Sequence, residues 1–244
     1  MENNSNKYKT HKIAGILGIS SFFTFLTFTL ISVDLIPWFS WTKNWLSELA
    51  GTHGSNPFWS AYGLPSIIFN IGLIISGIFA LAFVIILVKN RIIVKGYQKI
   101  IMILIGLSTM ALILCGIFPV TFGLIHTFFA LVYLGLIPII FVFVGLELRR
   151  LYGKKWFWVN NSFCTVFFVS FGLFFLTPNL TLFSKAIAEM ILILGLYTII
   201  IAICVNLLFF KSKKKQIFNL KKLSSMSPHA LYNKKIFRDT TSKR

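Results

Sequence analysis

Leu64-Pro-Ser-Ile-Ile-Phe-Asn-Ile-Gly-Leu-Ile-Ile-Ser-Gly-Ile-Phe-Ala-Leu-Ala-Phe-Val-Ile-Ile-Leu-Val88 runs for 25 residues without a charged side chain. A hydrocarbon layer about 30 Å thick is crossed by roughly 20 helical residues, so this stretch has the length and polarity of a membrane span. Lipid offers no water to the backbone, and a helix is the structure that satisfies its own N–H and C=O groups within one segment. Five further runs have the same character, near Ile13–Val33, Ile100–Phe118, Gly123–Leu146, Phe157–Leu176 and Ala186–Phe210. The expected fold is all-α: a polytopic integral membrane protein with six transmembrane helices in one bundle over residues 13–210. Residues 1–12 form its N-terminal segment, residues 34–63 a long loop, and residues 211–244 a basic tail.

Composition agrees with the runs. Of the 244 residues, 57% are hydrophobic and 12% charged, about half the charged fraction of a soluble domain. There are 27 phenylalanines, many of them paired as in Phe22-Phe23, Phe128-Phe129 and Phe167-Phe168, which suits lipid-facing and interhelical packing. All six tryptophans, Trp38, Trp41, Trp45, Trp59, Trp156 and Trp158, lie at span edges, where the membrane interface favours them. Cys115, Cys164 and Cys204 all fall inside apolar runs with no CxxC spacing, so neither a zinc ribbon nor a redox pair is expected. The first run is too long for a signal-peptide core and no A-x-A site follows it, so it reads as a retained span.

The formal charge of +18 is placed for topology. Alternate segments carry Lys7, Lys9 and Lys12; Lys89, Arg91, Lys95 and Lys99; and Arg149, Arg150, Lys154 and Lys155, while the tail after Phe210 carries 11 more. The opposite side holds only Lys43 and Lys185. The positive-inside rule then puts both termini in the cytoplasm, and the expected location is the cell membrane. With the charge so distributed, no nucleic-acid partner is expected. The bilayer is the expected partner. Lys211, Lys213, Lys214 and Lys215, with Ile217, Phe218, Leu220 and Leu223 interleaving further lysines, predict a helix on the anionic inner leaflet.

Small residues recur at helical spacing as Gly72, Ser76 and Ala80 in the second span, and as Ala14 and Gly18 in the first. Such stripes let helix backbones approach closely in lipid. Pro138 lies inside the fourth span, where it removes a backbone hydrogen bond. No internal repeat is present, which leaves an inverted-repeat transporter without support.

Polar residues gather on one side. Asp34 closes the first span, Asn70 sits about 9 Å into the second, and His126 and Glu189 lie about 5 Å into the fourth and sixth by the helical rise. Ser47, Glu48 and His53 lie in the loop above them. Ionisable groups in lipid are costly and mark functional sites, so these seven residues form the candidate external polar pocket. His126 and Glu189 are expected to face the bundle interior and share one site, with Glu48 or Asp34 above it. The competing arrangement pairs Glu189 with Lys185 and bonds His126 to a backbone carbonyl. Residues 44–49, Asn-Trp-Leu-Ser-Glu-Leu, are expected to form a short helix on the bilayer surface, stopped by Gly51.

No HExxH, HxxxH or G-x-S-x-G motif occurs, so no metal is expected and no catalytic residue is assigned; cofactors are unassigned too. Were the chain catalytic, hydrolysis of an outer-leaflet lipid is the reaction its site would fit. Binding of a lipid head group, small polar solute or cation is the leading expectation. A structural or assembly role is the alternative, and proton-coupled transport a third.

Asn44-Trp-Leu-Ser-Glu-Leu-Ala-Gly51, Asn56-Pro57, Ile68-Phe-Asn-Ile-Gly-Leu-Ile-Ile-Ser-Gly77, and Gly116-Ile-Phe-Pro119 with His126 seven residues on resemble the pattern of the prokaryotic and archaeal membrane-protein family known as domain of unknown function 998. The resemblance covers about residues 13–210 and implies the architecture without an activity. The positions that match are Ser47, Glu48, Asn56, Pro57, Asn70, Gly72, Ser76, Gly77, Pro119 and His126, while Ala50 stands where the pattern has glycine.

Overall fold

A computed structural model describes residues 4–37, 39–41, 44–51, 63–90, 92, 96–176 and 185–224. Six long helices account for most of them: α1 (Asn4–Asp34), α2 (Leu64–Lys89), α3 (Gln98–Ile117), α4 (Leu124–Tyr152), α5 (Lys154–Leu176) and α6 (Lys185–Ser224). There are no strands among the described residues. Five helical segments are long and apolar enough to cross a membrane: Lys9–Asp34, Leu64–Lys89, Gln98–Ile117, Leu124–Tyr152 and Ala186–Val205. The protein is thus an all-helical membrane protein, and α5 is the one long helix outside that set.

Helix ends follow local chemistry. Pro65 occupies the first turn of α2, where its missing N–H costs nothing. Gly153 alone links α4 to α5, with φ 92°, a backbone conformation that side chains with a Cβ rarely adopt. The last helix passes the expected span end at Phe210 and continues unbroken to Ser224, through the tail segment in which a helix was expected. No glycine or proline lies between Leu207 and Ser224, and lysine and leucine are good helix formers, so nothing local stops it.

Contacts between helices run in opposite directions along each neighbouring pair. Ser21 of α1 meets Ser76 of α2, while Ser32 further along α1 meets Pro65 at the start of α2. Ser108 of α3 bonds the Tyr133 carbonyl of α4, and Gln98 at the start of α3 reaches Glu147 near the end of α4. On α6, Leu208 lies against Gly15 and Cys204 against Gly18 of α1. Helices α1, α2, α3 and α4 therefore pack antiparallel in sequence order, and α6 closes the ring by packing on both α1 and α4. Helix α5 packs chiefly on α4, where Asn160 donates to the Phe141 carbonyl at 2.7 Å. The start of α1 and the later part of α6 share one end of the bundle.

The small residues are all inside: Ala14, Gly18, Gly72, Ser76 and Ala80 are buried. Gly72 faces Phe28 of α1. Ser76 does more than save space. Its hydroxyl donates to the Ser21 carbonyl at 2.8 Å, the Ser21 hydroxyl returns a 2.8 Å bond to the Ser76 carbonyl, and the Tyr197 hydroxyl of α6 bonds Ser76. Three helices are thereby joined by polar atoms in the middle of the apolar layer. At the end of the bundle where α1 starts, Glu147 receives Arg150 Nε at 2.9 Å and Gln98 Nε2 at 2.8 Å.

Candidate functional site

At the other end, residues 44–51, between α1 and α2, pack into the bundle. Leu46–Ala50 forms one 3-10 helix, here termed the loop helix. Leu46, Leu49 and Ala50 are at most 2% exposed, so the expected short helix turns this face into the bundle. The reason is its spacing: Leu46 and Leu49 are three residues apart, which in a 3-10 helix puts both on one face. Gly51, at φ 131°, ends it.

A helix start leaves backbone N–H groups without partners. Trp45 occupies the capping position and its side chain forms no cap, since an indole can donate but not accept. Glu189 of α6 supplies the acceptor: its Oε2 takes the Leu46 N–H at 2.5 Å, and the Ser47 N–H also donates to the carboxyl group. The Ala186 N–H donates in turn to the Asn44 carbonyl at 3.0 Å. Asn44 ties the same segment together through its side chain, accepting the Ser40 N–H at 2.8 Å and donating to Glu48 Oε2 at 2.6 Å.

His126 sits in the first turn of α4, 5% exposed. Its Nδ1 lies 2.8 Å from the Phe118 carbonyl oxygen. A carbonyl can only accept, so Nδ1 carries a proton and donates it. The backbone-carbonyl arrangement weighed for His126 is therefore present, and the same ring lines a cavity together with Glu189.

Ser47, Glu48, His126 and Glu189 line one cavity of about 380 Å³. Trp45, Val120, Ala130 and Leu134 line its inner wall, and Thr127 and Leu131 its exposed rim. A smaller chamber of about 40 Å³ shares Ser47, His126 and Glu189 and extends to Tyr133 and Cys115. The Tyr133 hydroxyl is buried there without a hydrogen-bond partner, and a buried phenol ordinarily has one.

The remaining candidates stand apart. Asn70 is fully buried and donates to the Ala50 carbonyl at 3.4 Å, so it anchors the far end of the loop helix and lines neither space. Asp34 is exposed at the end of α1 and lines neither. His53, with Asn56 and Pro57, lies outside the described residues, as does the Lys185 side chain weighed as a partner for Glu189. Among the described residues no three His, Cys, Asp or Glu side chains converge as metal ligands.

The family described as protein of unknown function (DUF998) matches the chain over residues 19–206. The chain belongs to that family. The DUF998 match runs through α1 to α6 and takes in every helix that builds the cavity. No curated protein and no solved structure matches the chain.

Two residues at or beside this cavity in the DUF998 chain escaped the sequence reading. Tyr133 looks like one more interfacial aromatic in an apolar run, and only its unpartnered hydroxyl marks it. Asn44 was visible within the family pattern, but its role was not; the four-residue spacing to Glu48 is the signal that could have found it.

Proposed function

We propose that this DUF998 member is a six-span cell-membrane protein, with both termini cytoplasmic, that binds a small polar or cationic group in the cavity formed by Ser47, Glu48, His126 and Glu189. That group belongs to a lipid head or to a small solute reaching the outer leaflet. The observation behind the reading is convergence: two carboxyl groups, an imidazole and a hydroxyl from the loop helix, α4 and α6 line one cavity of about 380 Å³. Ligand sites generally occupy about 300–1,000 Å³, with a few polar groups in mostly apolar walls.

Geometry supports the sixth span. His126 and Glu189 stand near the starts of α4 and α6 and line the same cavity, so these helices run in the same direction. Two parallel neighbours need a return crossing between them. Helix α5, with 23 residues, is about 35 Å long by the helical rise, which spans a hydrocarbon core of about 30 Å. Orientation follows from the positive-inside rule: 22 of the 24 Lys/Arg lie in alternate segments of the sequence, and among them Lys89, Lys99, Arg149 and Arg150 stand at the helix ends away from the cavity. The unbroken α6 carries the tail lysines out of the membrane as a helix, towards anionic inner-leaflet head groups.

A structural role is favoured by one observation, the Ser21–Ser76–Tyr197 network, which joins helices without reaching the cavity. Native mass spectrometry of the purified full chain separates the readings. Wild type should retain a bound small molecule or lipid, and Thr127→Trp, which fills the rim, should lose it. Equal retention by both, or by neither, sinks the binding reading.

A further inference from the structure

We propose that the chamber of about 40 Å³ adjoining the cavity is a binding site for ordered water, anchored by the Tyr133 hydroxyl. The inference does not depend on what the larger cavity binds.

The hydroxyl is the first argument. Tyr133 stands nine residues beyond Leu124 on α4, about 14 Å along the helix, and is 4% exposed. Its hydroxyl has no hydrogen-bond partner among the described residues. An unpaired hydroxyl in such surroundings costs free energy that a phenylalanine would avoid. Tyr197 is the comparison within the same bundle. It is buried too, but its hydroxyl bonds Ser76 and accepts from Ser21 Oγ at 3.4 Å. One of these phenols is satisfied by protein and the other is not. The backbone that carries Tyr133 is held in place, since Ser108 Oγ of α3 donates to its carbonyl at 3.2 Å.

Size and wall choose the guest. One water needs about 10–15 Å³ of room, so the chamber takes about one to three and no lipid head group. Phe25, Leu73, Leu112 and Ile193 supply much of the wall, and a chamber lined by such groups alone stays dry. Here Ser47 and Glu189 share the wall with Tyr133. The Glu189 carboxyl group takes the Leu46 and Ser47 N–H groups, and a carboxylate has about four acceptor positions, which leaves room for a water donor. A buried water is held by about three hydrogen bonds. Tyr133 gives one, and the side of the chamber formed by Ser47 and Glu189 gives the others, so the water ties α4 to the loop helix and α6.

Water has a way in. The chamber and the larger cavity have Ser47, Ala130, Leu134 and Glu189 as common walls, and the larger cavity opens at the exposed rim of Thr127 and Leu131.

The test uses the purified full chain in nanodiscs. Hydroxyl radicals from a brief X-ray pulse mark side chains that touch water, and mass spectrometry of the peptides reads the marks. Tyr133 should be modified well ahead of Tyr197, which is also buried but lines neither space. Labelling of Tyr133 no faster than that of Tyr197 would overturn the water site. Thermal unfolding gives a second reading, in which the two cases differ in sign. With water on the hydroxyl, Tyr133→Phe should melt about 2–4 °C below wild type, the shift for one lost hydrogen bond in a chain of this size. Melting at or above the wild-type temperature would show a hydroxyl without a partner and overturn the proposal. Native mass spectra should show the same retained molecules in Tyr133→Phe as in wild type. Loss of a retained lipid or solute in that variant would assign the hydroxyl to the ligand and overturn the water assignment.

Discussion

The Glu189 carboxyl group accepts the Leu46 backbone N–H at 2.5 Å across 143 residues of chain. It joins the last helix of the bundle to the loop between the first two. An acidic side chain inside a membrane helix is therefore occupied with capping a 3-10 helix, and it shows its remaining surface to the cavity.

Removing that acceptor should be felt. Glu189→Ala leaves the Leu46 and Ser47 N–H groups buried without their partner, a loss of about 1–3 kcal/mol. Glu189→Gln keeps one acceptor oxygen and should lose less. Thermal unfolding in detergent should rank wild type above Glu189→Gln and that above Glu189→Ala. Equal melting of alanine variant and wild type would mean the cap contributes nothing.

The Ser21–Ser76–Tyr197 network should behave as one unit. Tyr197→Phe deletes one hydroxyl and should cost about 0.6–1.7 kcal/mol, the range for hydrogen bonds between membrane helices. Combined with Ser76→Ala, the loss should be smaller than the two single losses together, because both remove the same bond. Strict additivity in denaturation would show the hydroxyls to be independent.

Gly116 sets the approach of α3 to α2. A Cβ there would lie 2.8 Å from the Asn70 carbonyl oxygen and 2.7 Å from Ile74 Cγ1. Gly116→Val should separate the helices at about 1–3 kcal/mol, the usual cost of overpacking. The Asn70 side chain also holds the Ala50 carbonyl, so the shift should reach the loop helix. Protease cleavage between Gly51 and Gly63 should then accelerate, while cleavage near Tyr152 should not.

Topology can be read directly with reporters. A fusion after Arg244 and an insertion near Lys154 should both report the cytoplasm, and an insertion near Gly54 the outside. Identical readings at Gly54 and Lys154 would contradict six spans.

Much of this was legible in the residues themselves. The run Leu64–Val88 declares its helix because lipid leaves the backbone no other arrangement. His126 and Glu189 stand out as polar residues within apolar runs, and both reach the cavity. The partner of Glu189 was not legible, because a backbone N–H has no letter and becomes an acceptor's target only where a helix starts. The burial of the loop helix was hidden for a related reason. Tryptophans around Leu46 signal an interface, while the two leucines that turn it inward are three residues apart in a segment too short to show a period. Tyr197 reads as one more aromatic until the serines of α1 and α2 are seen opposite it.

Ring closure through α6 has a consequence for how the molecule is made. The Ser21–Tyr197 contact joins positions 176 residues apart, so the seam between α1 and α6 cannot form until α6 has been synthesised. Until then α1 and α2 offer serine hydroxyls to an open face, and the loop helix waits without its cap. Contacts between such distant positions are the slow ones in folding. The stage most exposed to misassembly is thus the interval before α6 arrives, when a helix from a neighbouring chain finds the same unfilled place.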